Sequence, residues 1–175
     1  MFITPSYSVR AMYGFGCLIS FIGVSLAVAK KIFPAKLVCF ALSWMFFVFT
    51  FTYGNALAEQ KRYTDFRVNA VLEDLNNLDI CTTDTVKTVQ LSGNIGKSPV
   101  INNIPGNYKI LNRLVPSTFG ESWYWNQYYF FHYFGLKNIK TDPSVDLTTL
   151  DLPVLQDTMY HRLRGNNQYI LIELK

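Results

Sequence analysis

Leu37-Val38-Cys39-Phe40-Ala41-Leu42-Ser43-Trp44-Met45-Phe46-Phe47-Val48-Phe49-Thr50-Phe51-Thr52-Tyr53 contains no charged side chain and is dense in phenylalanine. Extended to Leu57, it matches the run of about 20 apolar residues that a helix needs to cross a bilayer. Just before it lies the basic segment Lys30-Lys31-Ile32-Phe33-Pro34-Ala35-Lys36, and before that Ala11 to Ala29 is a second uncharged run. As a helix this run reaches about 28 Å, close to the hydrocarbon thickness. The segment between the runs has room only for a tight helix–helix turn. Residues 1–57 therefore read as a two-helix transmembrane hairpin, with spans near 11–29 and 37–57 and both ends on one side.

Two other readings compete. A buried hairpin of a soluble protein carries polar positions along one face, and these runs have none. A cleaved signal peptide is suggested by Ala27-Val28-Ala29, but the apolar run exceeds the usual length and a second run follows it directly. The charge distribution leaves topology open. Lys30, Lys31 and Lys36 favour a cytoplasmic turn, whereas Arg10, Lys61, Arg62 and Arg67 flank the other side.

The formal charge of +4 belongs to the hydrophobic part. Residues 1–57 hold four basic residues and no acidic one, and from Ala58 onward there are twelve of each. A nucleic-acid partner is not expected, because the basic pI reflects no basic face on the polar domain. Cys81 is the only cysteine of that domain, which excludes an internal disulfide. No Cys/His cluster has zinc spacing.

Residues 58–175 read as a small α+β (or small α/β) extramembrane domain. Asn55 to about Leu78 has the three- and four-residue periodicity of a helix through Ala56, Phe66, Ala70, Leu75 and Leu78, so helix occupies 58–78 of the domain. Strands are expected near 85–91 and 168–174, with turns at Ser92-Gly93-Asn94 and Gly165-Asn166-Asn167. A short helix fits Tyr108 to Leu114, and a longer one fits 121–136, ending near Gly135. Asn138 to Pro153 reads as loop.

Few residues suggest chemistry. Gly93-Asn94-Ile95-Gly96-Lys97-Ser98 resembles a phosphate loop only superficially: the first glycine of that pattern would fall on Leu91, and Pro99 follows instead of a long helix. His132 and His161 lack partners at metal-binding spacing, and no DxD triplet is present. Asp142, Asp146, Asp151 and Asp157 fit capping or solvation. The unusual feature is Trp123-Tyr124-Trp125-Asn126-Gln127-Tyr128-Tyr129-Phe130-Phe131-His132-Tyr133-Phe134. An aromatic helix of this kind has three readings: domain core, docking at a membrane interface, or a sugar platform. In the last reading Trp123, Trp125 and Tyr128 stack on sugar rings while Asn126 and Gln127 bond hydroxyls.

Tyr53-Gly54-Asn55-Ala56-Leu57-Ala58-Glu59-Gln60-Lys61, Tyr63-Thr64-Asp65-Phe66 and Glu73-Asp74-Leu75-Asn76-Asn77-Leu78, with the later strand, aromatic segment and closing strand, resemble the C-terminal part of the serotype-converting O-antigen glucosyltransferases of enteric bacteria and their phages. That resemblance implies a multi-pass protein of the bacterial inner membrane with its C-terminal domain in the periplasm. The implied reaction takes glucose from undecaprenyl phosphate and adds it to the O-antigen of lipopolysaccharide. It implies no cofactor beyond this lipid-linked donor; its partners would be the lipid bilayer, the lipid-linked sugar, the O-antigen glycan and other membrane parts of the system. The family's essential acidic residues lie in an early external loop with no counterpart here, so no catalytic residue carries over. The chain is expected to be the C-terminal portion of such an enzyme, inactive alone. A non-enzymatic, membrane-anchored glycan-binding or assembly module is the alternative.

Overall fold

The computed structural model describes residues 12–28, 33–80, 85–103, 109–117, 119, 135–136 and 138–175. Two compact units result, Met1–Ala56 and Leu57–Lys175. The expected helix over 121–136 falls almost wholly outside the described residues.

The first unit holds helix α1 (Met12–Val28) and the first part of helix α2 (Phe33–Asn77). Helix α2 is long and apolar enough to cross a membrane, and none of its apolar window is buried within the protein. Leu37, Phe40, Trp44, Met45, Phe47 and Phe51 each expose most of their surface. Such a surface costs about 25 cal/mol per Å² in water and nothing comparable in hydrocarbon. Side-chain hydroxyls are returned to the helix: Ser25 donates to Phe21 O at 2.8 Å and Thr52 to Val48 O at 2.7 Å. That is how isolated hydroxyls are satisfied without water. The two helices meet where Cys39 Sγ donates to Gly23 O at 3.4 Å.

The second unit is α+β. Its strands are β1 (Lys87–Gly93), β2 (Ile139–Lys140), β3 (Val154–Asp157), β4 (His161–Gly165) and β5 (Tyr169–Leu174). They form one mixed sheet in the order β2-β1-β5-β4-β3. β1 runs parallel to β2 and β5, whereas β3-β4-β5 is an antiparallel meander. Short helices α3 (Pro99–Asn102) and α4 (Lys109–Leu114) lie between β1 and β2.

The end of α2 covers one face of the sheet. Its Val68, Val71 and Leu75 pack with Val89, Leu91, Leu163, Ile170, Ile172 and Leu174. On the opposite face Leu171 packs with Leu147 and Leu152 from the segment after β2. β5 is thus buried on both faces and reads as an almost unbroken apolar run, as central strands with parallel neighbours do.

Three details correct the sequence reading. The first strand lies at Lys87–Gly93 rather than 85–91, because pairing with β5 continues through Gly93 opposite Leu174 while Val86 stays exposed. The stretch read as loop from Asn138 contains β2 and a 3-10 turn at Leu147–Thr149. β3 and β4 were not anticipated at all. In β4 the inward positions are His161, Leu163 and Gly165, so burial alternates with period two while hydrophobicity does not. β3 is a four-residue edge strand with a register shift between Val154 and Gln156, too short to leave a pattern.

Candidate functional site

Trp123, Trp125, Asn126, Gln127 and Tyr128, the expected sugar platform, lie outside the described residues. Just beyond them, Gly135 has φ 67 and Leu136 packs against the main core. The described residues offer three other clusters.

The first is a polar groove of about 380 Å³ beside β1 and the segment after β2, lined by Val89, Gln90, Thr141, Asp142, Pro143, Val145 and Asp146. Gln90 points to this side of the sheet and is held at both ends. Its Nε2 donates to Asp146 Oδ1 at 3.2 Å, and its Oε1 accepts from Leu147 N at 2.5 Å. Asp146 caps the 3-10 turn, accepting from the Thr148 hydroxyl at 2.7 Å and Thr148 N at 3.0 Å. Asp142 accepts from the Ser144 hydroxyl at 2.5 Å and Ser144 N at 3.0 Å. These bonds hold both carboxyls below the usual carboxylate range, with the Thr148 and Ser144 hydroxyls as the leading causes. Both are ionised acceptors at neutral pH. The groove is therefore equipped to take hydrogen bonds from hydroxyls rather than to donate protons. Among the described residues no group of three or more His, Cys, Asp or Glu could hold a metal ion.

The second cluster settles the phosphate-loop question geometrically. Gln60, buried on α2, donates from Nε2 to Gly96 O at 3.0 Å and accepts at Oε1 from Ser98 N at 2.8 Å. Gly96 N is taken by Asn94 Oδ1 at 2.7 Å. Lys97 Nζ is tied to Asn112, bonding its side-chain oxygen at 2.8 Å and also its carbonyl. The Gly96 and Ser98 amides and the Lys97 ammonium are already engaged, and α3 spans only four residues. Replacing Gln60 with leucine is expected to cost the domain about 1–3 kcal/mol by leaving Ser98 N–H and Gly96 O without partners. Urea unfolding of the full chain, together with faster amide exchange at Ser98, checks this.

The third cluster locks α2 to the end of the sheet. Arg67, 3% exposed, donates from one terminal nitrogen to Tyr160 O and Lys175 O, both at 2.7 Å, and from the other to the Tyr63 hydroxyl at 2.8 Å. Its guanidinium also lies over the Tyr160 ring, 4.9 Å from the centroid, and Phe66 meets the same ring edge-on at 5.5 Å. Two turns further along α2, Asp74 Oδ2 stands 2.8 Å from His161 Nε2. The ring N–H is poorly aligned with that oxygen, so the approach is close without being a well-directed hydrogen bond. At the sheet edge, Asp157 is held down to about 2 by hydrogen bonds first from Arg162 and then from Lys175.

Sequence reasoning missed Gln60, Arg67 and Gln90 as organising residues. The one local signal was Tyr63 and Arg67, four apart on one helix face. No protein-family model, curated protein or solved structure matches the chain.

Proposed function

We propose that the protein is the membrane-anchored, C-terminal portion of a polyprenyl-phosphate-glucose-dependent glucosyltransferase that modifies O-antigen. In this reading α1 and α2 are the two spans of a hairpin, the basic turn between them faces the cytoplasm, and the α+β domain stands in the periplasm. The observation that carries the reading is α2 itself. Its first part presents an unburied apolar surface, and its later part, bearing the sequence that resembles the glucosyltransferases, packs on the sheet. The chain supplies anchoring and acceptor positioning; glucose transfer requires the remaining membrane parts of the system.

Two measurements test this. A cysteine placed at Met159, 81% exposed, in a background without native cysteines is expected to react with a membrane-impermeant maleimide in intact spheroplasts. Labelling only after lysis sinks the periplasmic assignment. Membranes holding this chain alone are expected to transfer no glucose from undecaprenyl-phosphate-glucose to O-antigen, and robust transfer would contradict the accessory role.

The anchor carries its own prediction. Met45→Arg places a charge in the apolar stretch of α2, at a cost of about 2.5–3.5 kcal/mol near a span's centre. The variant is expected to shift from the membrane pellet towards the carbonate-extractable fraction, while the conservative Met45→Leu stays with the membrane.

The glycan-binding module is the second reading, favoured by the preorganised amide and carboxylates of the Gln90 groove. Titration with glucose-bearing O-antigen fragments separates the two: tight binding without any effect on transfer in the reconstituted system supports the module.

A further inference from the structure

Turn 158–160 joins β3 to β4, and its geometry is organised around one hydroxyl. Thr158 Oγ1 accepts from Tyr160 N at 3.3 Å and from His161 N at 3.1 Å. A hydroxyl oxygen has two lone pairs and one hydrogen, so its acceptor capacity is filled. The hydrogen faces His161 Nδ1 at 3.2 Å and His161 O at 2.9 Å. His161 is 1% exposed, and its other ring nitrogen faces Asp74. One protonation state suits this arrangement: the neutral ring with its hydrogen on Nε2, 2.8 Å from the Asp74 carboxylate though poorly aligned with it, and Nδ1 free to accept from Thr158.

We propose that Asp74, His161 and Thr158 form an acid-sensitive latch between α2 and the β3–β4 hairpin, closed while Nδ1 accepts the Thr158 hydroxyl and opened when Nδ1 gains a proton. Protonation turns Nδ1 from acceptor to donor. It then confronts an oxygen whose lone pairs already serve two backbone amides, and one of the three donors must give way. The bond from Tyr160 N, at 3.3 Å, is the longest of the three, so the hairpin loosens first at its tip.

Burial of the ring, more than its charged neighbours, decides which way acid acts. Asp74 on α2 favours the imidazolium, whereas Arg67 on α2 and Lys175 beyond β5 oppose it. Asp157 on β3 does not compensate, since its carboxylate is engaged by Arg162 and Lys175. Burial is the largest influence, and with it the ring pKa lies below the ordinary histidine value despite Asp74. A base whose folded pKa is lowered binds fewer protons folded than unfolded. Its stabilising contribution is complete above the unfolded value of about 6.5 and is lost as pH falls through the folded value.

The test uses the full chain in lipid nanodiscs. At about pH 7.5 the ring ¹⁵N shifts are expected to report a neutral imidazole with hydrogen on Nε2. Between about pH 7.5 and about pH 5, the amides of Tyr160 and His161 are expected to lose protection severalfold, after correction for intrinsic exchange, in step with ring protonation. In His161→Gln that pH-dependent loss is expected to vanish. Protection unchanged across the ring titration, a Nδ1–H tautomer at neutral pH, or equal loosening in His161→Gln each overturns the latch. If His161→Gln does not fold, coincidence of ring titration and amide deprotection in the wild type decides the matter alone.

Discussion

Arg67→Met is expected to lower the unfolding free energy of the α+β domain by about 3 kcal/mol or more, with little change in the urea dependence of unfolding. Methionine replaces most of the buried volume, so packing is not the main loss. Tyr160 O and Lys175 O each lose a charged donor at 2.7 Å, although Tyr160 O keeps the Lys175 amide, and a hydrogen bond from a charged group is worth about 1.5–3 kcal/mol. The ring contact with Tyr160 is lost as well. Arg67→Lys is expected to recover only part of the loss. An ammonium is a point charge on a flexible stem and cannot span both carbonyls and the Tyr63 hydroxyl as the planar guanidinium does. Urea titration of the full chain in detergent, followed by tyrosine environment, makes the measurement. A loss below about 1 kcal/mol for Arg67→Met would show that water replaces the guanidinium freely.

Gly93→Ala is expected to do at least as much damage, for a backbone reason. Gly93 has φ +84, and a Cβ there would stand 2.1 Å from Leu174 O. The clash is with main chain at the register position where β1 pairs β5, so no side chain can swing aside. Relief requires prising apart the two central strands, and a loss of about 4 kcal/mol or complete failure to fold follows. Gly96→Ala is the matched control. Its φ is +73, but nothing lies within 4 Å of the added carbon, so only the left-handed backbone penalty of about 1–2 kcal/mol applies. Thermal unfolding of both variants should separate widely, and equal shifts would show that the Gly93 contact relaxes without cost.

Where the chain's own pattern carries the burial, the fold was readable. The polar end of α2 announces itself through apolar residues at helical spacing, and β5 through an unbroken apolar run between turn residues. β4 was not readable, because its inward side holds a histidine and a glycine. Only the tertiary partners, Asp74 for His161 and the crossing β5 backbone for Gly165, explain why those residues are buried. The clamps were hidden for a related reason. Gln60 reaches residues 36 and 38 positions away, and Arg67 reaches residues 93 and 108 positions away. A polar residue on an otherwise amphipathic helix gives no hint of such distant partners. Conversely, the glycine-rich turn after β1 looked suggestive in sequence, yet its polar groups serve Gln60, Asn94 and Asn112.

The place of β5 has a consequence for synthesis. It is the last element in chain order and the middle strand of the sheet. While a nascent chain emerges, β1 and β2 share only two paired positions, and β3 and β4 form a lone hairpin, neither of which is stable by itself. The domain gains its centre only when β5 arrives, after every other strand of the sheet has been made. Until that moment the apolar residues of α2 and β1 lack their cover and are open to aggregation. A premature stop before Tyr169 would leave a sheet without its middle strand and a core without Ile170, Ile172 and Leu174.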